Sequence, residues 1–381
     1  MAMVSKRIAD LKGSAVRAML SAAQQPDVIS FAGGLPAPDS FADLDFPPPP
    51  VDMLQYGPTE GEPALRAAIA AELALIGLDC GADQILVLSG SQQGIDLAAK
   101  LYVDHGTPVA VESPAYLAAL QVFRFFGAEL SVLDRADPAA AWTAAAPPTL
   151  APTLAYVTPT FQNPSGHCWT AAERDALAGA CDDAGVTLFE DDPYRDLAYD
   201  PCERTPVCAR LKSASWIYQG SFSKTVAPGL RLGFLAASAD LFPHLVNLKQ
   251  AADLHTNRLS QWYALSYLND PNRAQRLGGL VARYRRRRDL FAAAMDRHLG
   301  DLADWEVPAG GLFFWATLKS GADTAELLTR ARQRGVLFTP GEHFLALPQG
   351  PSATLRLNFS HADEEAAERG LAILAELLKD G

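Results

Sequence analysis

From about residue 62 to 240, short runs of apolar residues alternate with longer segments whose apolar positions recur at helical spacing. Strands are expected at Gln84 to Leu88, Pro108 to Glu112, Glu129 to Leu133, Thr153 to Thr158, Thr187 to Glu190 and Ser215 to Tyr218. A helix is expected over 63–76, with Pro63 near its start. Apolar strands separated by helices predict an α/β fold with a mostly parallel sheet covered on both faces. From about 275 the pattern changes. A long helix over 276–299 leads to a strand with a glycine bend, Trp305 to Leu318, then a helix over 323–334, a strand near Val336 to Thr339, the segment Thr354 to Ser360 and a helix over 362–379. These form a compact α+β unit. At the other end, 6–24 reads as an amphipathic helix or arm on Ile8, Leu11, Val16, Met19 and Leu20, and Pro47 to Pro50 form a stiff connector. The expected organisation is 1–45 as an arm and part of a small domain, 46–275 as a large domain, and 276–381 as the smaller C-terminal domain.

Length and composition fit two cores, since 381 residues and 40.8 kDa exceed one ordinary domain. A formal charge of -12 argues against a general nucleic-acid binder, whose phosphate contacts need a basic face. The local exception, Arg283 to Arg288, lies in a helical pattern and is expected to be a solvated face. Five cysteines without a Cys-x-x-Cys pair and seven scattered histidines disfavour a zinc site and a disulfide framework, so no metal is expected and a reduced cytoplasm fits. Met1 to Asp27 is too charged for a signal peptide or membrane span, so no membrane partner is expected.

Candidate chemistry centres on Trp216 to Phe234, which sets Lys224 among Ser221, Ser223 and glycines, with Arg231 seven residues on. A lysine here is either solvated on a surface loop or an amine nucleophile for Schiff-base chemistry, and two hydroxyls beside a guanidinium suit a phosphate. Gly90, Ser91 and Gln92 follow a strand and open a helix, where they serve as a helix cap or as an anion cradle. Tyr116 lies just past a strand at the sheet's carboxyl edge, for packing or for a ligand. Asn163 stands in a proline-bracketed loop, as a turn former or a contact. Glu190, Asp191 and Asp192 end an apolar strand, and buried carboxylates need a cation or a protonated nitrogen.

The order and spacing of Phe-Ala-Gly-Gly-Leu-Pro, Tyr-Gly-Pro, Ser-Gly-Ser-Gln-Gln, Ser-Pro-Ala-Tyr, Gln-Asn-Pro-Ser-Gly, Glu-Asp-Asp-Pro-Tyr, Gly-Ser-Phe-Ser-Lys and Leu-Arg-Leu-Asn-Phe-Ser resemble those of class I/II aminotransferases of fold type I. The likeness is to the 2-aminoadipate/kynurenine branch and to the aminotransferase domain of MocR-type regulators. It implies pyridoxal 5'-phosphate (PLP) as cofactor and transfer of an amino group from a 2-aminoadipate, aromatic or aliphatic amino acid to a 2-oxo acid such as 2-oxoglutarate. By position, Lys224 is implied to form the internal aldimine and to move the proton, and Asp191 to pair with the pyridine nitrogen. Tyr194 and Asn163 are implied to contact the phenolic oxygen, and Tyr116 to stack on the ring. Gly90, Ser91, Gln92, Ser221, Ser223 and Arg231 would hold the phosphate, with Tyr56 reaching in from the partner of a homodimer. Arg356 would clamp the substrate α-carboxylate, Gly34 would let backbone approach the substrate, and Arg17 is either a helix-surface residue or a second carboxylate partner. The same lysine and aspartate serve PLP-dependent lyases, decarboxylases and racemases. In the regulators a winged-helix domain precedes the fold. Here the fold starts close to the first residue, so a freestanding enzyme is expected.

Overall fold

The computed structural model describes residues 5–9, 28–41, 48–140, 142, 152–347 and 350–380. In chain order come α1 (Lys6–Ala9), β1 (Ile29–Ser30), α2 (Pro63–Leu75), β2 (Ile85–Leu88), α3 (Ser91–Tyr102), β3 (Pro108–Val111), α4 (Leu117–Phe126), β4 (Glu129–Val132), β5 (Leu154–Val157), α5 (Ala171–Ala184), β6 (Thr187–Asp191) and β7 (Trp216–Ser221). There follow β8 (Gly233–Ala237), α6 (Phe242–Asp253), α7 (Arg258–Leu268), α8 (Arg273–Leu299), β9 (Ala303–Trp305), β10 (Phe313–Leu318), α9 (Thr324–Gln333), β11 (Val336–Leu337), β12 (Thr339–Pro340), β13 (Thr354–Asn358) and α10 (Glu364–Lys379).

The main sheet has the order β2-β8-β7-β6-β5-β3-β4. Its strands run parallel except β8, which is antiparallel to both β2 and β7. Six carboxyl ends therefore share one edge, and β8 starts there. The continuous apolar runs have a simple cause. Ile85, Val87, Ala155, Val157, Leu188 and Tyr218 point into one buried core, while Leu86, Leu88, Leu154, Tyr156, Phe189 and Ile217 point into a second on the opposite face. With helices over both faces, neither set of alternate positions meets water. The helices are stopped by local chemistry. Thr170 and Glu173 form a capping box at the start of α5, and Gly127 and Gly185 take left-handed conformations where α4 and α5 end.

The second sheet, β12-β13-β10-β9, is antiparallel and packs with α8 and α10 around a third core. β1 pairs in parallel with β11, and Phe31 meets Phe291 edge-on at 5.3 Å, so the segment around residue 30 packs with the C-terminal unit. Several expectations are refined. The run from Trp305 to Leu318 divides into β9 and β10 around Pro308–Leu312. The expected strand near Val336 splits between two sheets, β11 to β1 and β12 to β13. The basic run of α8 is a solvated face at Arg283, Arg285 and Arg286 but not throughout: Arg288 is buried and bonds Asp200 and the Pro308 carbonyl, and Arg287 holds Asp39. Among the described residues, no helix is long and apolar enough to cross a membrane.

One buried cation ties the loops beside the sheet's carboxyl edge. Arg174 of α5 is 0% exposed and donates to the carbonyls of Pro159, Trp169, Glu203 and Thr205 at 2.8 to 3.2 Å, with Glu190 at 3.8 Å. Removing one partner of a buried pair leaves the rest uncompensated. Arg174→Met is expected to lower stability by about 3 kcal/mol, measured by urea unfolding. A change within about 0.5 kcal/mol, as at a surface position, would contradict this role.

Candidate active site

At the carboxyl edge of the parallel strands, the loops after β2, β3, β5, β6 and β7 surround a cavity of about 500 Å³ that the second sheet closes from the other side. Ser91, Gln92, Tyr116, Asn163, Asp191, Tyr194, Ser221, Ser223, Lys224 and Arg231 line it from the large sheet, and Gly34 and Arg356 from the small unit. Residues spread over more than 300 positions of the chain thus share one cleft, at the place where open parallel sheets bind ligands.

Strand alternation decides which of three consecutive acids enters the cleft. Asp191 lies on the face of Tyr156 and Phe189, and its register partner on β7 is Gln219. The Tyr156 hydroxyl donates to Asp191 Oδ2 at 2.7 Å, and Gln219 Nε2 donates to Oδ1 at 2.8 Å. Asp191 is 4% exposed, and burial pushes its pKa up to about 6 against the two donors that favour its charge. Glu190 and Asp192 point to the other face. Glu190 accepts from the Cys208 amide at 2.9 Å and is pushed up to about 7, mainly by burial, and Asp192 accepts from the Tyr218 hydroxyl at 3.0 Å.

Lys224 follows β7 by three residues, and its Nζ donates to the Gly34 carbonyl at 2.8 Å. Burial, then the charges of Arg356 and Arg231, push its pKa down to about 8, so neutral amine is present near neutral pH. Arg231 takes a left-handed conformation, φ 47°, just before β8. Its guanidinium packs so closely on Gly90 that a Cβ there would lie 2.4 Å from Nη2. Gly90 caps α3, whose first N–H groups have no intrahelical acceptor, and Gly233 lies where a Cβ would come within 2.8 Å of the Ser91 nitrogen. Arg231, the N-terminus of α3 and Ser91, Ser221 and Ser223 lie together in the cavity wall, a donor set of the kind that suits an anion. Asp253 braces it from α6, accepting from Ser89 Oγ at 2.9 Å, Gln93 Nε2 at 2.8 Å and Lys249 Nζ at 2.8 Å.

On the opposite wall, Arg356 of β13 donates to Asn163 Oδ1 at 2.7 Å, to Thr339 Oγ1 at 3.3 Å and to the Ala32 carbonyl. It stacks over Phe313 at 4.3 Å and Phe344 at 5.0 Å. Burial lowers its pKa to about 10, still a full cation at neutral pH, and its Nε is buried without a hydrogen-bond partner. Asn163 Nδ2 reaches the Tyr194 hydroxyl at 3.3 Å, and the Tyr116 hydroxyl faces Gln92 at 3.4 Å.

Of the positions singled out in the sequence, Gly34, Ser91, Gln92, Tyr116, Asn163, Asp191, Tyr194, Ser221, Ser223, Lys224, Arg231 and Arg356 all line the cavity, and Gly90 lies directly behind Arg231. Tyr56 does not. It is 77% exposed and meets His255 edge-on at 5.7 Å, away from the cavity of its own chain. Arg17 lies outside the described residues. Tyr156, Gln219, Thr158, Thr339 and Phe313 were passed over as strand or loop residues. Gln219 carried a usable signal, being an amide inside an otherwise apolar strand.

A family model described as aminotransferase class I and II matches residues 51–374. Aromatic-amino-acid aminotransferase 1 of Thermococcus litoralis is 33% identical, over 99% of this chain and 94% of that protein. The structure of Pyrococcus horikoshii kynurenine aminotransferase in complex with PMP superposes with a TM-score of 0.89 at 31% identity, covering 99% of this chain and 97% of that one. The α-aminoadipate aminotransferase of Thermus thermophilus, complexed with N-(5'-phosphopyridoxyl)-L-leucine, gives a TM-score of 0.86 at 32% identity over 99% and 97% of the two chains. Matched over most of its length, the chain belongs to the class I and II aminotransferase family.

Proposed function

We propose that this aminotransferase takes the amino group of a 2-aminoadipate, aromatic or aliphatic α-amino acid and passes it to a 2-oxo acid such as 2-oxoglutarate, with pyridoxal 5'-phosphate as cofactor. The observation that carries the reading is one cavity holding a lysine amine, a buried carboxylate and an anion cradle at separate points of its wall. The fit follows from the chemistry of the donors. A phosphate needs the cradle of Arg231, Ser91, Ser221 and Ser223 with the N-terminus of α3. A protonated ring nitrogen needs the Asp191 carboxylate, and a phenolic oxygen needs Asn163 and Tyr194. Tyr116 provides an aromatic wall. When bound, the cofactor supplies an electron sink for charge developing at the substrate α-carbon.

In this reading Lys224 holds and moves the proton at the α-carbon, since burial keeps its amine close to a working pKa. Arg356 holds the substrate α-carboxylate through a paired donor geometry, with Asn163 and Thr339 fixing the plane of its guanidinium. Gly34 leaves room for substrate, because a Cβ there would press on Phe313 at 3.1 Å and approach Lys224 Nζ. Leu35 and Leu117 add apolar wall, which suits aliphatic or aromatic side chains. Arg17 is the proposed partner for a second carboxylate. In this reading residues 46–275 are the cofactor domain, 276–381 the smaller domain, and 1–45 an arm and part of the smaller domain. Five free cysteines suit a reducing cytoplasm.

We also infer a homodimer. Val51, Leu54 and Tyr56 are 83%, 73% and 77% exposed on one segment that Arg258 fastens to the body, an apolar strip suited to a second copy. Such packing would bring Tyr56 to the partner's cradle.

Lys224→Ala is expected to abolish transamination while circular dichroism stays native. Retention of more than a few per cent of turnover would remove Lys224 from the chemistry. Asp191→Asn is expected to cost about two orders of magnitude in kcat, the scale of losing a preorganised charge partner, and a near-normal rate would contradict its role. The dimer has its own test in subunit mixing. Tyr56→Ala and Lys224→Ala proteins, each inactive or weak alone, should recover roughly a quarter of wild-type activity when randomly paired, because one site per mixed dimer is then intact. No recovery would mean that Tyr56 serves its own chain or no site.

A further inference from the structure

We propose that Tyr156 and Gln219 are positioning residues that keep Asp191 ionised and aimed into the cavity, and that Gly94 lacks a side chain so that Gln219 can reach it; this rests on the pyridoxal phosphate reading above. Each carboxylate oxygen of Asp191 accepts one of the two donors, at 2.7 and 2.8 Å, from the strands on either side. Both donors are 0% exposed. The Tyr156 ring is wedged edge-on between Phe123 at 5.5 Å and Phe189 at 5.3 Å, so its hydroxyl has little freedom to turn away. Burial and the neighbouring Asp191 charge hold that hydroxyl well above the usual tyrosine range, so it remains a donor at every working pH.

Gln219 is held from behind by an absence. A Cβ on Gly94 would sit 1.8 Å from Gln219 Oε1 and 2.9 Å from Leu88 Cδ1. Glycine is among the poorest residues for a helix interior, yet it occupies the first turns of α3 here. Gln219 Oε1 is buried without a hydrogen-bond partner, which leaves the amide oriented through its Nε2 bond to Asp191. Turning the amide over would put an oxygen against the carboxylate.

The consequence is a pH dependence. In the cofactor-free cavity Asp191 titrates at about 6, raised by burial and slightly by Asp192, and lowered by Gln219 and Tyr156. The other ionisable groups facing this space are Tyr116 ahead of α4, Tyr194 in the loop after β6, and Lys224, Arg231 and Arg356 across the cavity. A cationic ring nitrogen favours ionised Asp191. The contribution of Asp191 to cofactor affinity is therefore fully present well above pH 6 and is lost as pH falls through that value. Removing a donor raises the pKa of the free carboxylate, so the decline starts at higher pH.

The test is cofactor retention by the full-length holoenzyme, followed by cofactor absorbance after dialysis at a series of pH values, with no turnover involved. Tyr156→Phe is expected to move the midpoint of cofactor loss upward by about one pH unit, tenfold weaker affinity within that window, as losing a hydrogen bond to a charged group implies. Retention well above the window should match wild type. Gly94→Ala should move the midpoint in the same direction, although helix propensity alone predicts a more stable protein. An unshifted midpoint in Tyr156→Phe, or equal weakening at every pH, would overturn the positioning role. An unshifted Gly94→Ala would overturn the role of that glycine. A wild-type protein that binds no pyridoxal phosphate would instead sink the reading on which the inference rests.

Discussion

Placing a carboxylate in a protein interior is costly unless its charge is met, and Asp191 stands almost fully buried at the end of a strand. The structure meets that charge from two directions and leaves a third open. Tyr156 and Gln219 approach from the adjacent strands, and the open side faces the cavity, where the proposed partner is a protonated ring nitrogen. This arrangement requires β5, β6 and β7 to be parallel neighbours in one register, because a slip of one residue would turn Glu190 or Asp192 to that face. It also requires a small residue on α3. Sheet order, strand register and a helix glycine thus all bear on one carboxylate.

The cleft belongs to both halves of the fold. The large sheet brings Lys224, Asp191 and the proposed anion cradle to its carboxyl edge. The antiparallel sheet contributes Arg356, and β1 pairing with β11 brings Gly34 against Lys224. Arg356 bonds Asn163 from the large half and the Ala32 carbonyl from the N-terminal segment, so the proposed substrate contact also joins the two parts.

Much of this was legible in the sequence because the informative residues sit where chemistry overrides propensity. Lys224 among serines, three acids after an apolar strand, and small residues between a strand and a helix all break the local pattern at the sheet's edge. The strands at Pro108, Thr153 and Thr187 were readable because both faces are buried. β8 was not anticipated: five residues, Gly233–Ala237, follow a loop and run against their neighbours, and nothing in their composition signals direction. Tyr156 and Gln219 were missed because a tyrosine in an apolar strand reads as core, and its partner is fixed by register across 35 residues. The Arg287 and Arg288 contacts were likewise hidden, since a basic run on a helix does not say which side chains meet acids elsewhere in the fold.

The central claim is that this cleft moves an amino group and leaves the carbon skeleton and carboxylate intact. The direct measurement is a half-reaction: the pyridoxal phosphate form of the protein is mixed with 2-aminoadipate or leucine in the absence of any 2-oxo acid, and products and cofactor are quantified. The account predicts one equivalent of the matching 2-oxo acid per active site, conversion of the cofactor to its pyridoxamine form, and no further turnover until 2-oxoglutarate is added. Release of carbon dioxide, racemised amino acid, or continuous turnover without an acceptor would contradict it.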